Sequence, residues 1–457
     1  MRIELAAPMT LAEIQAAIGG SGSVCGDATV RAISTDTRTL RPGDLFIALH
    51  GEKADGHAFL DAATAAGASA SVCEAERDCA ITVKNTHTAL LSLAAHSLET
   101  HRIPVVAITG SVGKTGTKEA IAAALSSVLR VHKTEENENN ELGVAKTVLS
   151  RPASARVLVL EFGSNHPGEI APLSLATRPD VSVLTAIGSA HIGAFGSQEA
   201  ILAEKASIVA GMKEGHIIFS KDDPLLFRFA FPFPTTGVSV GGTGDLVADG
   251  IYFSRFGTSY TARWNSGERR IFLRGVGRPR VYASLFALAT AMRLGVPVPQ
   301  AADALFRMPQ TAGRGSIHEA DGVLLIDDAY NASPEAVEEG LSLLTAIAAP
   351  RHRVAVLGDM LELGERSDEL HRGIGRCAAR HAHSLYTFGS LAAEIAKGAH
   401  EVGMPHEEIH IASTAEDCAK ALLRTLSDGD AVLVKASHAL GGDRIVTAIR
   451  DRARYPH

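Results

Sequence analysis

The chain has no surplus of basic residues and few cysteines. Of its 457 residues, 44 are Lys or Arg and 51 are Asp or Glu, which gives a formal net charge of −7. Binding to a nucleic-acid backbone needs an excess of positive charge, so no nucleic-acid partner is expected, although a few local groups can still bind a small anion. The five cysteines, Cys25, Cys73, Cys79, Cys377 and Cys418, form no CxxC pair and are too sparse for a disulfide scaffold. We expect reduced, mostly buried thiols, as in a cytoplasmic protein.

Long hydrophobic runs are also missing. No apolar stretch approaches the roughly 18 residues of a membrane helix, so no membrane insertion is expected. The segment Met1–Ile14 lacks a basic region followed by an apolar run, so no secretory signal is predicted. At about 150 residues per domain, the length corresponds to roughly three domains, each large enough to bury a core. The expectation is a cytoplasmic protein, by default a monomer with mobile domains.

What the chain does have is a regular alternation of short β-rich runs and alanine-rich helical stretches. This pattern favours an α/β fold in which parallel strands are joined by crossover helices. Several of the apolar runs end in Gly or Asp, and ligands bind at the carboxyl ends of strands in open α/β sheets. The runs that predict buried strands are Val105–Ile108, Val157–Leu160, Val181–Leu184, Leu324–Ile326, Val354–Leu357 and Val432–Val434.

Two proline-containing segments suggest the domain limits. Pro104 precedes the first strong strand, and a Pro/Gly-rich segment spans Pro309–Gly315. The short alternating pieces of Asp245–Arg274, with their aromatic residues, suggest a small antiparallel insertion. We therefore predict three domains: 1–100, 101–312 and 313–457.

A phosphate-binding loop is predicted where the strand at Val105 ends. The sequence continues as Gly-Ser-Val-Gly-Lys-Thr-Gly over residues 110–116 and then as an amphipathic helical stretch. Glycines at 110 and 113 let backbone N–H groups converge on an anion, and the helix N-terminus adds a positive dipole. Lys114 would then reach the terminal phosphates and the Thr115 hydroxyl a Mg²⁺ ion. Ile108 replaces the first glycine of the strict motif, and a glycine turn with a solvated lysine is the alternative interpretation.

Three further residues are candidates for the same site, although none is persuasive by itself. Glu161 follows a predicted strand, where its carboxylate is suited to Mg²⁺ but is also typical of a solvated turn. His191 follows the next strand, and a single histidine is more often structural. Lys205, taken alone, is an ordinary exposed lysine on a helix.

Taken together, these segments resemble the Mur ligase family, the ATP-dependent ligases of peptidoglycan precursor synthesis. Ser34–Arg38, Pro42–Leu49 and Asp55–His57 resemble the family's uridine-nucleotide-binding first domain. Gly110–Lys118 resembles its phosphate loop, and Asn139–Gly143 the motif that faces the muramoyl peptide and its metal. The resemblance implies a UDP-sugar-binding N-terminal domain, a central P-loop ATPase-like domain with a parallel sheet, and a doubly wound, Rossmann-like C-terminal domain.

The resemblance also implies roles for single residues. Glu161 and His191 match the family's Mg²⁺ ligands, and Lys205 falls where the family has a lysine that takes up CO₂ to become a carbamate. With Thr115 these would hold the metal, and Lys114, His191 and Lys205 would be the catalytic residues. For ATP, the implied residues are Gly110, Ser111, Val112, Gly113, Lys114, Thr115, Gly116, Arg314 near the phosphates and Asp328 at the ribose. ATP would then bridge the second and third domains, and domain closure would complete the site.

Two segments suggest one branch of the family. Ile326–Glu335 and Leu357–Glu365 are similar to the ligases that add D-alanyl-D-alanine to UDP-N-acetylmuramoyl-tripeptide. The branch that adds the preceding diamino residue carries an Asp-Asn-Pro-Arg motif, which this chain lacks. The residues implied for the UDP-sugar and its peptide are Ser34, Thr37, Arg38, Asn139 and Asn140, and those for the incoming dipeptide are Tyr330 and Asn331.

The chain also departs from the family pattern. Gly277–Ala283 replaces a Gly-x-His-Asn-x-x-Asn segment whose second Asn contacts adenine, so either backbone groups contact the base or its discrimination is relaxed. Val434–Leu440 only approximates the expected Lys-Gly-Ser-Arg-Ala pattern. A nucleotide-dependent switch on the same scaffold is therefore a second hypothesis. Folylpolyglutamate synthetases share the loop but not the first domain, and the segment 34–57 argues against them.

Overall fold

The computed structural model describes residues 1–22, 28–51, 54–189, 191–309 and 313–452. Its strands form three sheets of five, nine and six strands. All strands of one sheet fall inside one of the three ranges predicted from the sequence, while the domain limits themselves stay a prediction. Each sheet consists of strands that are consecutive in the sequence, so the three sheets follow one another along the chain.

The N-terminal sheet has the order β1-β2-β3-β4-β5. The β1–β2 pair is antiparallel and the other pairs are parallel. Its strands are β1 Arg2–Thr10, β2 Thr29–Ser34, β3 Leu45–Ile47, β4 Ala70–Cys73 and β5 Ala80–Thr82. Its helices are α1 Leu11–Ala17, α2 Leu60–Ala65 and α3 Thr86–Thr100.

The cysteines of the chain do not all follow the expectation. Cys73, Cys377 and Cys418 are buried free thiols, as predicted. Cys79 is disulfide-bonded, so the prediction of reduced thiols is wrong for this residue. Cys25 lies outside the described residues. The prediction fails because cysteine spacing along a chain does not report which thiols the fold brings together.

The central sheet has the order β14-β13-β12-β11-β10-β9-β6-β8-β7. It is parallel from β7 to β12, and the segment predicted as a small antiparallel insertion extends it as β12, β13 and β14. Its strands are β6 Val105–Thr109, β7 Val131–Lys133, β8 Val157–Glu161, β9 Val181–Leu184, β10 His216–Ser220, β11 Thr235–Val240, β12 Leu246–Ser254, β13 Gly257–Trp264 and β14 Gly267–Leu273. Its helices are α4 Lys114–Ser126, α5 Glu141–Leu149, α6 Ile170–Thr177, α7 Ile192–Phe195, α8 Gln198–Ala206, α9 Pro224–Arg228, α10 Arg278–Arg293 and α11 Val298–Arg307.

The C-terminal sheet has the order β15-β16-β20-β17-β18-β19, with only the β15–β16 pair antiparallel. Helices connect its parallel strands in the way that the sequence pattern predicted. Its strands are β15 Ser316–Ala320, β16 Val323–Asp327, β17 Arg353–Gly358, β18 Ser384–Phe388, β19 Ile409–Ala412 and β20 Ala431–Lys435. Its helices are α12 Pro334–Ala348, α13 Ser367–His381, α14 Ala392–Glu401, α15 Ala415–Thr425 and α16 Gly442–Arg450.

In the nine-stranded central sheet, strands β6, β8 and β9 are fully buried because helices cover both faces of the sheet. Residues of α4 and α10 pack on one face, where Ile121, Leu125 and Phe286 belong to one apolar cluster. The other face shares an apolar cluster with the N-terminal sheet through α3 and α5. Burial on both faces explains why these strands are continuous apolar runs in the sequence. Across the described ranges, no helix is long and apolar enough to cross a membrane.

Candidate active site

The loop between β6 and α4 has the backbone shape that phosphate binding requires. Gly110 and Gly113 have φ angles of 147° and 82°, in the region that favours glycine. A Cβ atom at Gly110 would lie 2.0 Å from Thr185 Oγ1, so no larger residue fits there. The Thr185 hydroxyl donates to the Val112 carbonyl (2.6 Å), and Ser111 N–H donates to the Ala186 carbonyl (2.8 Å). The loop is therefore braced by the chain that follows β9.

Lys114 begins α4 and folds back over this loop. Its Nζ donates to the carbonyl oxygens of Gly110 (2.7 Å) and Ser111 (3.4 Å). Burial lowers the pKa of Lys114, Glu161 raises it, and the charge of Arg314, which lies just before β15, lowers it further. Lys114 thus lies where the central and C-terminal domains meet, in a position to interact with an anion in the loop.

Glu161, the last residue of β8, is held by groups from separate segments. Its Oε1 accepts hydrogen bonds from Thr115 Oγ1 (3.1 Å) and Asn139 Nδ2 (2.9 Å). Its Oε2 is buried without a hydrogen-bond partner and lies 3.7 Å from Lys118 Nζ. This carboxylate is 1% exposed, and its Oε2 has an ion pair but no hydrogen bond, so the oxygen is suited to a metal ion, since a buried polar atom without a hydrogen bond is costly.

His191 and Lys205 lie in the same electrostatic neighbourhood. His191 has a positive φ of 61° at the start of α7, and its Nδ1 forms an ion pair with Glu362 of the C-terminal domain. Burial lowers the pKa of His191; Glu362 opposes this shift, and Lys114 and Lys205 add to it. Lys205 is 2% exposed, so the interpretation as an exposed helical lysine is wrong. Its Nζ donates to Ser164 Oγ (2.6 Å), and burial together with the charge of Lys114 lowers its pKa to about 7.

On the C-terminal side, the predicted nucleotide and dipeptide residues lie around the end of β16. Asp328 accepts a 2.5 Å hydrogen bond from Lys435 Nζ, which also donates to the Asn331 carbonyl (3.0 Å). Burial raises the pKa of Asp328 against the opposing effect of Lys435. The Arg314 guanidinium stacks on the Tyr330 ring at 3.9 Å from its centroid. The charge of Arg314 acts on Lys114 and that of Asp328 on Arg280 of α10, so both residues lie near the junction with the central domain.

The residues predicted to bind the UDP-sugar divide into two groups. Ser34 is fully buried and its hydroxyl donates to the Asp36 carbonyl (2.8 Å), so it shapes the turn after β2. Arg38 is 87% exposed and pairs with Asp36 at 2.7 Å, while Thr37 is partly exposed beside it. This pairing lowers the pKa of Asp36 to about 2.

Asn139 and Asn140 belong to the central domain. Asn139 holds Glu161, as described above. Asn140 is the N-cap of α5, where its Oδ1 accepts from Gly143 N–H (3.0 Å). In this structure the two amides therefore have local roles: Asn139 positions a carboxylate and Asn140 caps the start of a helix.

Sequence reasoning missed four residues of this region. Lys118 forms the ion pair with Glu161, and Ser164 accepts the hydrogen bond from Lys205, as described above. Arg280 is half-buried in the segment that departs from the family pattern, and burial lowers its pKa while the charge of Asp328 opposes that shift. Glu335 reaches the central domain from the first turn of α12. Lys118 and Glu335 lie at the ends of the segments Gly110–Lys118 and Ile326–Glu335, but no sequence pattern predicts their contacts. Ser164 and Arg280 carry no separate sequence signal.

The chain matches three family models over most of its length. They are the Mur ligase family catalytic domain over residues 29–137, the Mur ligase middle domain over 108–291, and the Mur ligase glutamate ligase domain over 313–438.

The chain is also similar in sequence and in structure to named ligases. The UDP-N-acetylmuramoyl-tripeptide–D-alanyl-D-alanine ligase of Bacillus subtilis is 34% identical over 426 residues, which cover 91% of this chain and 92% of that protein. A crystal structure of MurF from Acinetobacter baumannii superposes with a TM-score of 0.90 at 27% identity, over 98% of this chain and all of that one. MurF ligase from Thermotoga maritima, crystallised with ADP, gives a TM-score of 0.84 at 30% identity, over 92% and 97% of the two chains.

Proposed function

The chain belongs to the Mur ligase family, and we propose that it joins D-alanyl-D-alanine to UDP-N-acetylmuramoyl-tripeptide in an ATP-dependent reaction of peptidoglycan precursor synthesis. The observation that carries the proposal is the phosphate loop at residues 110–116, which faces Glu161 on one side and the C-terminal domain on the other. The similarity to named tripeptide–dipeptide ligases over nine-tenths of the chain supports the choice of substrates. The protein would act in the cytoplasm.

The proposed reaction forms an amide bond by way of an acyl phosphate. A carboxylate is a poor electrophile, so the terminal carboxylate of the tripeptide first attacks the γ-phosphoryl group of ATP and ADP leaves. The amine of D-alanyl-D-alanine then attacks the acyl carbon, phosphate leaves, and the amine loses a proton. Lys114, placed at the loop, would stabilise the charge on the transferring phosphoryl group. The remaining residues mainly orient the reactants.

The residues that would hold Mg²⁺ are Thr115, Glu161, His191 and a modified Lys205. The orphaned Oε2 of Glu161 and the adjacent Thr115 hydroxyl fit a cation that prefers oxygen donors. The metal would supply neutralising charge to the phosphate oxygens. Asn139 would orient Glu161, in the way that residues behind a metal's direct ligands fix the position of those ligands.

Lys205 is proposed to carry a carbamate derived from CO₂. Only a neutral amine attacks CO₂, and a pKa of about 7 leaves a substantial fraction of this amine neutral near neutral pH. Attack of the lone pair on the carbon and loss of one proton would give an anionic oxygen donor on a long side chain. Such a donor is suited to a hard cation, whereas an ammonium group is not.

The three domains would share the binding of the substrates. We assign UDP-sugar binding to residues 1–100, with Ser34, Thr37 and Arg38 at the turn after β2. ATP would be bound by residues 101–312, completed by Arg314 and Asp328 from residues 313–457. The candidates for the incoming dipeptide are Tyr330 and Asn331. Tyr330 stacks on Arg314, and the Asn331 carbonyl accepts a hydrogen bond from Lys435.

The decisive experiment incubates the protein with ATP, Mg²⁺, UDP-N-acetylmuramoyl-tripeptide and D-alanyl-D-alanine, and looks for the pentapeptide mass. We expect the pentapeptide product, with ADP released only when both organic substrates are present. ADP release that does not need the dipeptide would instead support a nucleotide-dependent switch. Product formed instead from UDP-N-acetylmuramoyl-dipeptide and a diamino acid would assign the chain to the ligases that add the third residue.

A further inference from the structure

A second group of possible metal ligands lies in the N-terminal domain, away from the phosphate loop. His50 follows β3, His57 lies in the short 3₁₀ helix Gly56–Phe59, and Glu74 follows β4. One ligand atom from each of these three side chains lies within 4.8 Å of the others. We propose that His50, His57 and Glu74 form a binding site for Zn²⁺.

The two imidazole rings are oriented as they would be at a metal site. His57 Nδ1 lies 2.7 Å and His50 Nδ1 lies 3.3 Å from the same atom, Asp55 Oδ1. The rings are stacked, with centroids 4.5 Å apart. Asp55 Oδ1 can therefore accept the Nδ1 proton of His57, which leaves the His57 Nε2 lone pair on the side of Glu74, and His50 presents its own Nε2 to the Glu74 carboxylate. Metal-bound histidines usually donate their second N–H group to such a carboxylate.

Glu74 is similarly prepared to donate one oxygen. Its Oε1 accepts hydrogen bonds from the backbone N–H (3.0 Å) and the hydroxyl (3.3 Å) of Thr86. Its Oε2 lies 3.2 Å from His50 Nε2. Two hydrogen bonds thus fix one oxygen of the carboxylate, and the other is left beside the imidazoles.

The interactions that a metal ion must replace are long. Glu74 N–H donates to His57 Nε2 at 3.2 Å, and the contact between His50 Nε2 and Glu74 Oε2 is of the same length. Tetrahedral zinc, with bonds of about 2.0–2.3 Å, brings its ligand atoms to roughly 3.3 Å from one another, a spacing that His50 Nε2 and Glu74 Oε2 already have. Only the gap to His57 Nε2, which is at most 4.8 Å, has to close, and the 52% exposed His50 side chain has the freedom to move toward His57.

The donor set selects the class of metal. Two imidazoles with one carboxylate are typical of Zn²⁺ and leave a fourth position for water, whereas Mg²⁺ and Ca²⁺ prefer oxygen donors throughout.

A bound ion would connect the ends of β3 and β4 to each other. His87 Nε2 lies 3.0 Å from the His50 carbonyl, and His87 Nδ1 lies 3.4 Å from Glu141 Oε2 in α5, so the site adjoins a contact with the central domain.

The test titrates the full-length, chelator-treated protein with Zn²⁺ against a chromophoric chelator, in a millimolar excess of Mg²⁺. We expect one Zn²⁺ per chain to be bound. His50→Gln and Glu74→Gln should each weaken that binding at least about tenfold, and Asp55→Asn about tenfold, since loss of an outer carboxylate usually costs 10- to 100-fold. Cobalt(II) should give visible absorption bands that disappear in His50→Gln.

The matched control is His166→Gln, because His166 also lies beside a carboxylate, Glu169, at 3.4 Å but belongs to no cluster of three such groups among the described residues. This variant should bind Zn²⁺ like the parent protein. Unchanged zinc affinity and unchanged cobalt bands in His50→Gln would overturn the proposal, because the metal would then be bound elsewhere, such as at Glu161. His50 is exposed, and an unchanged circular dichroism spectrum would show that the variant folds.

Discussion

The backbone N–H of Ser189 donates a 2.8 Å hydrogen bond to Glu335 Oε1, which joins the central domain to the first turn of α12. A Cβ atom at the neighbouring Gly188 would lie 3.3 Å from the same carboxylate, so the glycine permits this close approach. The Gly188 carbonyl in turn lies 3.5 Å from the Ser111 hydroxyl of the phosphate loop. One short segment therefore contacts both the C-terminal domain and the phosphate loop.

Glu335→Ala is expected to lower kcat about tenfold, because a hydrogen bond to a charged group contributes about 1.5–3 kcal/mol and docking of the C-terminal domain would weaken. Glu335→Gln retains an acceptor oxygen for Ser189 and should keep most of the activity. Glu338→Ala, at an exposed position of the same helix, is the control. Steady-state kinetics with all three substrates make the comparison, and equal rates for Glu335→Ala and Glu338→Ala would contradict it.

Lys114→Ala should reduce kcat by on the order of 100-fold or more, because it removes the positive charge nearest the transferring phosphoryl group. The control is Lys213→Ala, which removes an exposed lysine of the same domain. The rate of ADP formation by the purified variants is the measurement. An unchanged turnover rate in Lys114→Ala would show that the loop does not serve phosphoryl transfer.

Asn139→Ala should raise the Mg²⁺ concentration needed for half-maximal activity about tenfold, because Glu161 loses the amide that orients it. The adjacent Asn140→Ala removes a helix cap instead, and should lower the free energy of unfolding by about 1 kcal/mol with no change in that Mg²⁺ requirement. Activity measured over a Mg²⁺ series and thermal melts separate the two effects. The same Mg²⁺ requirement in both variants would argue against the role of Asn139.

Lys205→Ala should lose at least about tenfold in activity, as expected for loss of a metal-binding group, and should be partly rescued by small carboxylic acids. In the parent protein without metal, ¹³C-labelled CO₂ should give a carbamate signal that Lys205→Ala lacks. At constant dissolved CO₂, this signal should decrease as the pH falls below about 7, because the amine then becomes protonated. An unmodified amine in active, metal-loaded enzyme would count against the carbamate.

Arg38→Ala should raise the KM for the UDP-linked substrate about tenfold and leave kcat nearly unchanged, because an exposed guanidinium at the turn would bind the substrate equally in the ground and transition states. Arg41→Ala, which removes an exposed arginine three residues further on, is the control. Initial rates over a range of UDP-substrate concentrations provide the KM values. A fall in kcat with constant KM would place Arg38 in a different role.

The sequence alone determined the elements whose causes are local. The phosphate loop needs positive φ angles at Gly110 and Gly113 between a strand and a helix, and all of that information lies in one contiguous segment. The apolar runs were correctly predicted as strands because helices on both faces bury every residue of a central strand. The assignment to a substrate came from motif resemblance, since composition and periodicity carry no information about a sugar or a peptide.

Only the tertiary structure decided which side chains meet. Asn139 and Glu161 are 22 residues apart, Lys205 and Ser164 are 41 apart, and Ser189 and Glu335 are 146 apart. The burial of Lys205, and with it the lowered pKa, follows from the packing of α8 and not from its immediate neighbours in the sequence. The disulfide at Cys79 was missed for the same reason. Local backbone preferences act over a few residues, whereas these contacts exist only after separate segments have packed against each other.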